Sequence, residues 1–253
     1  MLLYTAFLSE SDGHPLKADV LKLCGDEFFK VFHITGDDQD FRRAITAYEQ
    51  AAACLPSGDP RLPGFINNIG TGYLACYGRL GRLDDLQTAI TTMKNGIAVT
   101  TDEHADMLPG QFNNLGTATL RRFERTGDLD DLSEAIRNHE NAVQLTPDEH
   151  PALPSRVSNL GTGYLRRFES TGNPDDLSGA IQNQQRAVQL TPDGSPDLPT
   201  WLNNLGRSFL RRFERTGDLH DISEAVHQES CAPLKLSEAD LISLNTSEVT
   251  EVP

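Results

Sequence analysis

Two ladders of residues run through this 253-residue chain at one pitch. Pro63, Pro109, Pro154 and Pro199 each follow a leucine, at spacings of 46, 45 and 45. Ala44, Ala89, Ala135, Ala180 and Ala225 step by 45, 46, 45 and 45. Two independent markers that stay in register require a tandem array. A fixed period between about 20 and 50 residues restricts the fold to a solenoid, a propeller or a similar stack of repeated units.

Inside each unit the apolar spacing is helical. Phe112, Leu115, Thr119 and Phe123 step by three or four, and Tyr164 and Phe209 take the Thr119 slot in the next copies. That is one stripe of an amphipathic helix. Leu132, Ala135, Ile136, Ala142 and Val143 form a second stripe, and strand-like alternation is absent. Each unit is therefore read as two helices joined by a turn.

The phrase LRRFERTGDLDDLSEAI, from Leu120 to Ile136, is that turn, and close copies begin at Leu165 and Leu210. Arg121, Arg122 and Arg125 suit the carbonyl end of a helix. Gly127 falls where a left-handed C-terminal cap is wanted. Asp128 is placed to cap the second helix, with Asp131 as the acidic partner of a capping box. Pro147 and Pro192 stop the second helices. Pro154 and Pro199 fit the first turn of the next ones, where no amide donor is needed.

Charge narrows the function classes. With 22 Lys+Arg against 37 Asp+Glu the net charge is -15. That balance disfavours nucleic acid, whose phosphates attract basic surfaces, and anionic membranes for the same reason. An apolar fraction of 38% suits a thin, extended protein better than one with a deep core. Cys24, Cys54, Cys76 and Cys231 make no CxxC motif, so they read as free thiols in a reducing compartment. MLLYTAFL at the start has no basic leader and is too short to span a bilayer. A cytoplasmic location is the expectation.

The units resemble the tetratricopeptide pattern W-x2-L-G-x2-Y…A-x3-F…P. Ile66-x2-Ile69-Gly70-x2-Tyr73 and Val157-x2-Leu160-Gly161-x2-Tyr164 fill its opening slots, and Phe112-x2-Leu115-Gly116-x2-Thr119 fills them with one exception. The alanine ladder supplies the A, and Pro56, Pro147 and Pro192 the closing P. Ser237 and Thr101 replace that proline in two units. The pitch exceeds the family's period of about 34, with about seven extra residues at the hairpin and about four between repeats. The chain thus resembles an enlarged tetratricopeptide repeat of the kinesin-light-chain kind. The wording is also similar to fungal repeat regions that accompany NLR-type or CHAT modules.

The resemblance implies an all-α, right-handed superhelical solenoid of about five antiparallel hairpins. They are drawn at 16–60, 61–106, 107–151, 152–196 and 197–237. Residues 1–15 read as the remnant of a preceding repeat, and 238–253 as a disordered acidic tail. The chain then starts mid-repeat, as a piece of a longer array would.

In tetratricopeptide stacks the first helices line a concave groove. At 100° per residue, one side of the first helix collects Asn68 and Thr71; Asn114, Thr117 and Arg121; Asn159, Thr162 and Arg166; Asn204, Arg207 and Arg211. Asparagines pair with an extended peptide backbone, and arginines fork onto carboxylates. This predicts a groove for a protein or peptide segment that is acidic or ends in its C-terminal carboxylate. The competing reading is structural: the asparagines bond between neighbouring helices, and the arginines pair with Glu124, Glu169, Glu214 or the hairpin aspartates.

Catalytic signals are sparse. Asp84-Asp85, Asp130-Asp131 and Asp175-Asp176 recur at helix starts and read as caps. His220, Glu224, His227 and Cys231 step 4, 3, 4 along one face, with no second ligand cluster for zinc. Gly70-Thr71-Gly72 and Gly161-Thr162-Gly163 lie within helices, where close packing needs small residues, and are not phosphate loops. The expectation is a non-catalytic interaction scaffold with no cofactor and no metal. An architectural spacer or self-associating arm of a larger sensor is the alternative.

Overall fold

The computed structural model describes residues 16–56 and 58–231, and side chains as far as residue 225. The expected remnant over 1–15 and tail over 238–253 lie outside the described residues. Among the described residues there are ten α-helices and no strand. They pair as α1 (Lys17–Thr35) with α2 (Asp38–Ala53), and α3 (Leu62–Leu80) with α4 (Leu83–Ala98). α5 (Leu108–Thr126) pairs with α6 (Leu129–Gln144), α7 (Leu153–Thr171) with α8 (Pro174–Gln189), and α9 (Leu198–Thr216) with α10 (Leu219–Cys231). A short 3-10 helix, Asp102–Met107, precedes α5. None of these helices is long and apolar enough to cross a membrane.

Local chemistry fixes many of the boundaries as the sequence predicts. Gly127 closes α5 at φ 76° and donates its N–H to the Phe123 carbonyl. Asp128, Asn173 and Asp37 accept from the backbone N–H two residues on, at the starts of α6, α8 and α2. Pro63, Pro109, Pro154 and Pro199 sit in the first turn of their helices. One expectation is corrected. Asp131 does not close a capping box. Its carboxylate is buried and turns back to Arg122 of the preceding helix, at 2.5 Å.

The chain divides into two compact units, Met1–His150 and Pro151–Pro253. In the first, one core cluster joins Phe32, Phe41, Ile45 and Tyr48 of the first hairpin to Ile69 and Cys76 of the second. Another joins Leu86, Ile90 and Met93 of the second hairpin to Leu115 and Ala118 of the third. In the second unit, Leu165, Leu177, Ala180 and Ile181 pack with Leu205, Phe209 and Ala225 of the following hairpin. A hairpin alone leaves these side chains wet. The next one removes them from water, at about 1.5–3 kcal/mol for each large apolar residue.

The alanine ladder marks where helices touch: Ala44, Ala89, Ala135 and Ala180 are wholly buried. A glycine ladder does the same on the first helices. A Cβ added at Gly25, Gly70, Gly116 or Gly161 would lie 2.7, 2.7, 2.7 or 2.8 Å from Tyr48, Met93, His139 or Gln184 respectively. The second helix thus sends one large side chain onto a bare stretch of backbone in each of the first four hairpins.

Candidate binding face on the first helices

Within Met1–His150 the first helices α1, α3 and α5 bring several predicted residues to open clefts. One cleft of about 340 Å³ is lined by Gly64, Phe65, Asn68, Met107, Gly110 and Asn114, together with Lys22 and Arg61. A second, of about 350 Å³, is lined by Phe29, Tyr48, Asn68, Thr71, Gly72 and Ala75, with Lys22, Asp26 and His33. Asn68 belongs to both.

The charges around these clefts are spoken for. Lys22 pairs with Asp26 at 2.6 Å, and Tyr48 donates to the same carboxylate at 2.7 Å. Burial, reinforced by Asp26, holds the Tyr48 phenol well above its ordinary range. Arg61 forks onto Asp59 and reaches Asp19 at 3.0 Å.

The amides differ. Asn114 donates to Asn67 of the previous repeat over a long 3.4 Å. Gln111 accepts from Thr100 at 2.9 Å and donates to the Pro63 carbonyl at 3.4 Å. Thr71 and Thr117 turn their hydroxyls back to the carbonyls of Asn68 and Asn113. Among the described residues the Asn68 carboxamide has no partner.

Arg121 is exposed to solvent, but its charge is not free. It is paired with Glu124 at 2.9 Å.

Within Pro151–Pro253 the same slots knit repeats together. Asn204 donates to Ser158 of the previous repeat at 3.2 Å, and Ser158 exchanges hydrogen bonds with the buried Gln184. Thr162 donates to the Ser158 carbonyl and accepts from Gln184. Asn159 is half-buried on α7. Arg166 pairs with Glu169 at 2.8 Å, while Arg211 pairs with Glu214 at 3.0 Å and with Glu169 at 3.2 Å. Burial alone would raise the Glu169 carboxyl, but Arg166 and Arg211 overcome it and hold it below the usual range. Arg207 has no ion pair among the described residues.

Several structural residues escaped the sequence reading. Arg122, Arg167 and Arg212 each clasp the carboxylate nine positions on, Asp131, Asp176 and Asp221, at 2.5 Å. Arg79 and Arg215 share another slot and donate to His33 and Gly172, backbone carbonyls at the end of the previous repeat's first helix. Arg215 also lies over the Phe168 ring. The signal was present: Arg122, Arg167 and Arg212 share one offset in the repeat, and Arg79 and Arg215 share another. Spacing alone did not separate arginines that face a buried acid from those that face solvent. His220 and Glu224 are 4.0 Å apart, whereas the side chains of His227 and Cys231 lie outside those described.

No protein-family model and no curated protein matches this chain. Solved structures do. A putative kinesin light chain of Podosopora anserina with nearly identical TPR-like repeats superposes at a TM-score of 0.60 and 13% identity, over 87% of this chain and 98% of that one. A TPR protein of Thermus thermophilus, TTC0263, gives 0.54 and 16%, over 91% and 97%. MamA protein gives 0.55 and 17%, over 88% and 98%. The fold is therefore that of tetratricopeptide-type helical hairpins.

Proposed function

We propose that this chain is a non-catalytic scaffold that presents its first-helix face to a protein or peptide segment. One observation carries the reading. The second helices spend their slots on the core, while the first helices leave Asn68, Thr71 and Asn114 lining open clefts. Carboxamides and hydroxyls at such a place offer both donors and acceptors to a main chain. Arg207, unpaired on α9 among the described residues, is the place for an acidic or C-terminal group of the partner. Free thiols and the absence of a CxxC pair support a reducing, cytoplasmic setting. The likeness of the repeat wording to fungal NLR- and CHAT-associated regions supports a place within a larger sensor.

The spacer reading has its own support. Glu124, Glu169 and Glu214 neutralise three of the four predicted arginines, and Asn204 bonds between repeats. Photo-crosslinking separates the two. A benzophenone amino acid is placed at Thr71 or Thr117 on the first helices, or at exposed Arg137 on a second helix, and irradiated in an extract of the source cells. The scaffold gives one discrete heterologous adduct from Thr71 and Thr117 only. Adducts between copies of the chain favour the spacer. An adduct confined to Arg137 overturns the assignment of the face.

A further inference from the structure

Resting on that reading, we infer that the Asn68 carboxamide and its two flanking clefts take an extended peptide bearing two uncharged side chains, one apolar and one aromatic. An acidic peptide does not fit this place. The argument begins with the asparagine ladder. Asn114 and Asn204 spend their amides on neighbouring repeats, at 3.4 and 3.2 Å. Asn68 occupies the same slot and keeps its amide unspent among the described residues. A carboxamide offers a donor and an acceptor side by side, the pair that one residue of an extended backbone requires. Asn68 also stands on the wall shared by both clefts. A main chain held there sends side chains to either side.

The linings state what those side chains are. Toward α5 the wall is Gly64, Phe65, Met107 and Gly110, which suits a leucine- or methionine-sized group. A Cβ built on Gly64 meets nothing within 4 Å, so packing within the protein does not require a glycine there. Helix propensity argues against it as well. The bare backbone leaves room for a ligand to approach. Toward α1 the wall is Phe29 and Tyr48 beside Thr71, Gly72 and Ala75, with His33 and the Lys22–Asp26 pair, a setting for an aromatic edge whose polar rim meets these groups.

Charge complementarity selects an uncharged occupant. Lys22 is matched by Asp26, and Arg61 by Asp59 and Asp19, while the α3 row Gly64, Asn68, Thr71, Ala75 carries no charge. A carboxylate entering here would compete with acids already seated on both cations. In an extended strand residues rise about 3.3 Å each, and packed helices stand about 8–10 Å apart. The two anchors therefore fall about two to three residues apart along the partner.

The test is a phage-displayed library of random dodecapeptides panned on the intact chain. Selected peptides are then measured by fluorescence anisotropy against the chain, Asn68→Ala, Gly64→Leu and the triple variant Arg121→Ala/Arg166→Ala/Arg211→Ala. Circular dichroism confirms that each stays helical. Gly64→Leu points into empty space, so it fills the cleft without disturbing the core. The expected consensus has two large uncharged residues near one another. Asn68→Ala and Gly64→Leu each weaken binding by about tenfold or more, and the arginine variant binds within about twofold of the parent. Full binding by Asn68→Ala and Gly64→Leu, with loss in the arginine variant, overturns this inference and leaves the scaffold reading standing. An acidic consensus does the same. Failure to enrich any peptide overturns both.

Discussion

The hairpins α5/α6, α7/α8 and α9/α10 solve one electrostatic problem in one way, and the hairpins α1/α2 and α3/α4 solve it differently. In the later three, a buried aspartate of the second helix is met by an arginine of the first: Asp131 by Arg122, Asp176 by Arg167, Asp221 by Arg212. In the second hairpin the arginine slot holds Cys76. Asp85 stays, and Arg82, at the position of the capping Asp128, swings in to bind it at 2.6 Å. The same guanidinium donates to the Cys76 sulfur at 3.1 Å and reaches Asp38 at 2.8 Å. Burial, with Asp85 beside it, pushes the Cys76 thiol up to about 12, so it remains protonated. In the first hairpin the slot holds Val31, and Asp40 is met by Arg43 of its own helix at 3.0 Å. The acid is the fixed point. A carboxylate taken out of water must be matched by a cation, but the chain is free to deliver that cation from any element within reach.

This contrast breaks most sharply in the second hairpin. Arg82→Asp restores the usual cap residue but strands Asp85 and sets a like charge near it. A loss of about 3 kcal/mol in chemical denaturation is expected. Adding Cys76→Arg rebuilds the later repeats' arrangement and recovers most of that loss, though not the part contributed by the contact with Asp38. If the double variant is no more stable than the single one, the two arrangements are not equivalent.

A second contrast lies in the slot that packs on the glycine ladder. Tyr48 bonds Asp26, Met93 is apolar, and Gln184 bonds Ser158. His139 is wholly buried, and neither ring nitrogen has a partner among the described residues. Burial alone lowers its pKa to about 4 from an ordinary 6.5. The unfolded chain therefore binds a proton below about pH 6.5 that the folded chain refuses until about pH 4. Stability from this group is full above pH 6.5 and declines as pH falls toward 4, by up to about 3 kcal/mol. His139→Met, copying its sibling Met93, should remove most of that slope between pH 6.5 and 4.5. An unchanged slope in denaturation midpoints across that window counts against it.

The smallest contrast is between two kinds of glycine. Gly127 holds φ at 76° in a left-handed cap. Gly64 is helical and faces empty space. Gly127→Ala should lower stability by about 1 kcal/mol, and Gly64→Ala should raise it by about 0.5–1 kcal/mol. Equal effects on the melting temperature would mean that the two glycines are not held for different reasons.

Much of the fold was readable because its causes are local or periodic. The caps at Gly127 and Asp128, the prolines at 154 and 199, and the buried alanine ladder all depend on a few neighbouring residues and a fixed pitch. The capping box at Asp131 was misread because a carboxylate near a helix start has two uses. Only the distance to Arg122 of the preceding helix decides between them. The asparagine and arginine rows were located from helical angle alone, which gives a direction but not a partner.

What the sequence determined by itself is therefore the unit: two helices, their ends, and the faces each must bury, since hydrophobic period and capping act within one stretch of chain. The tertiary structure decided how equal slots acquire unequal roles. Asn114 and Asn204 bond across repeats while Asn68 opens onto two clefts, because the neighbouring hairpin, not the residue type, sets which polar groups are satisfied.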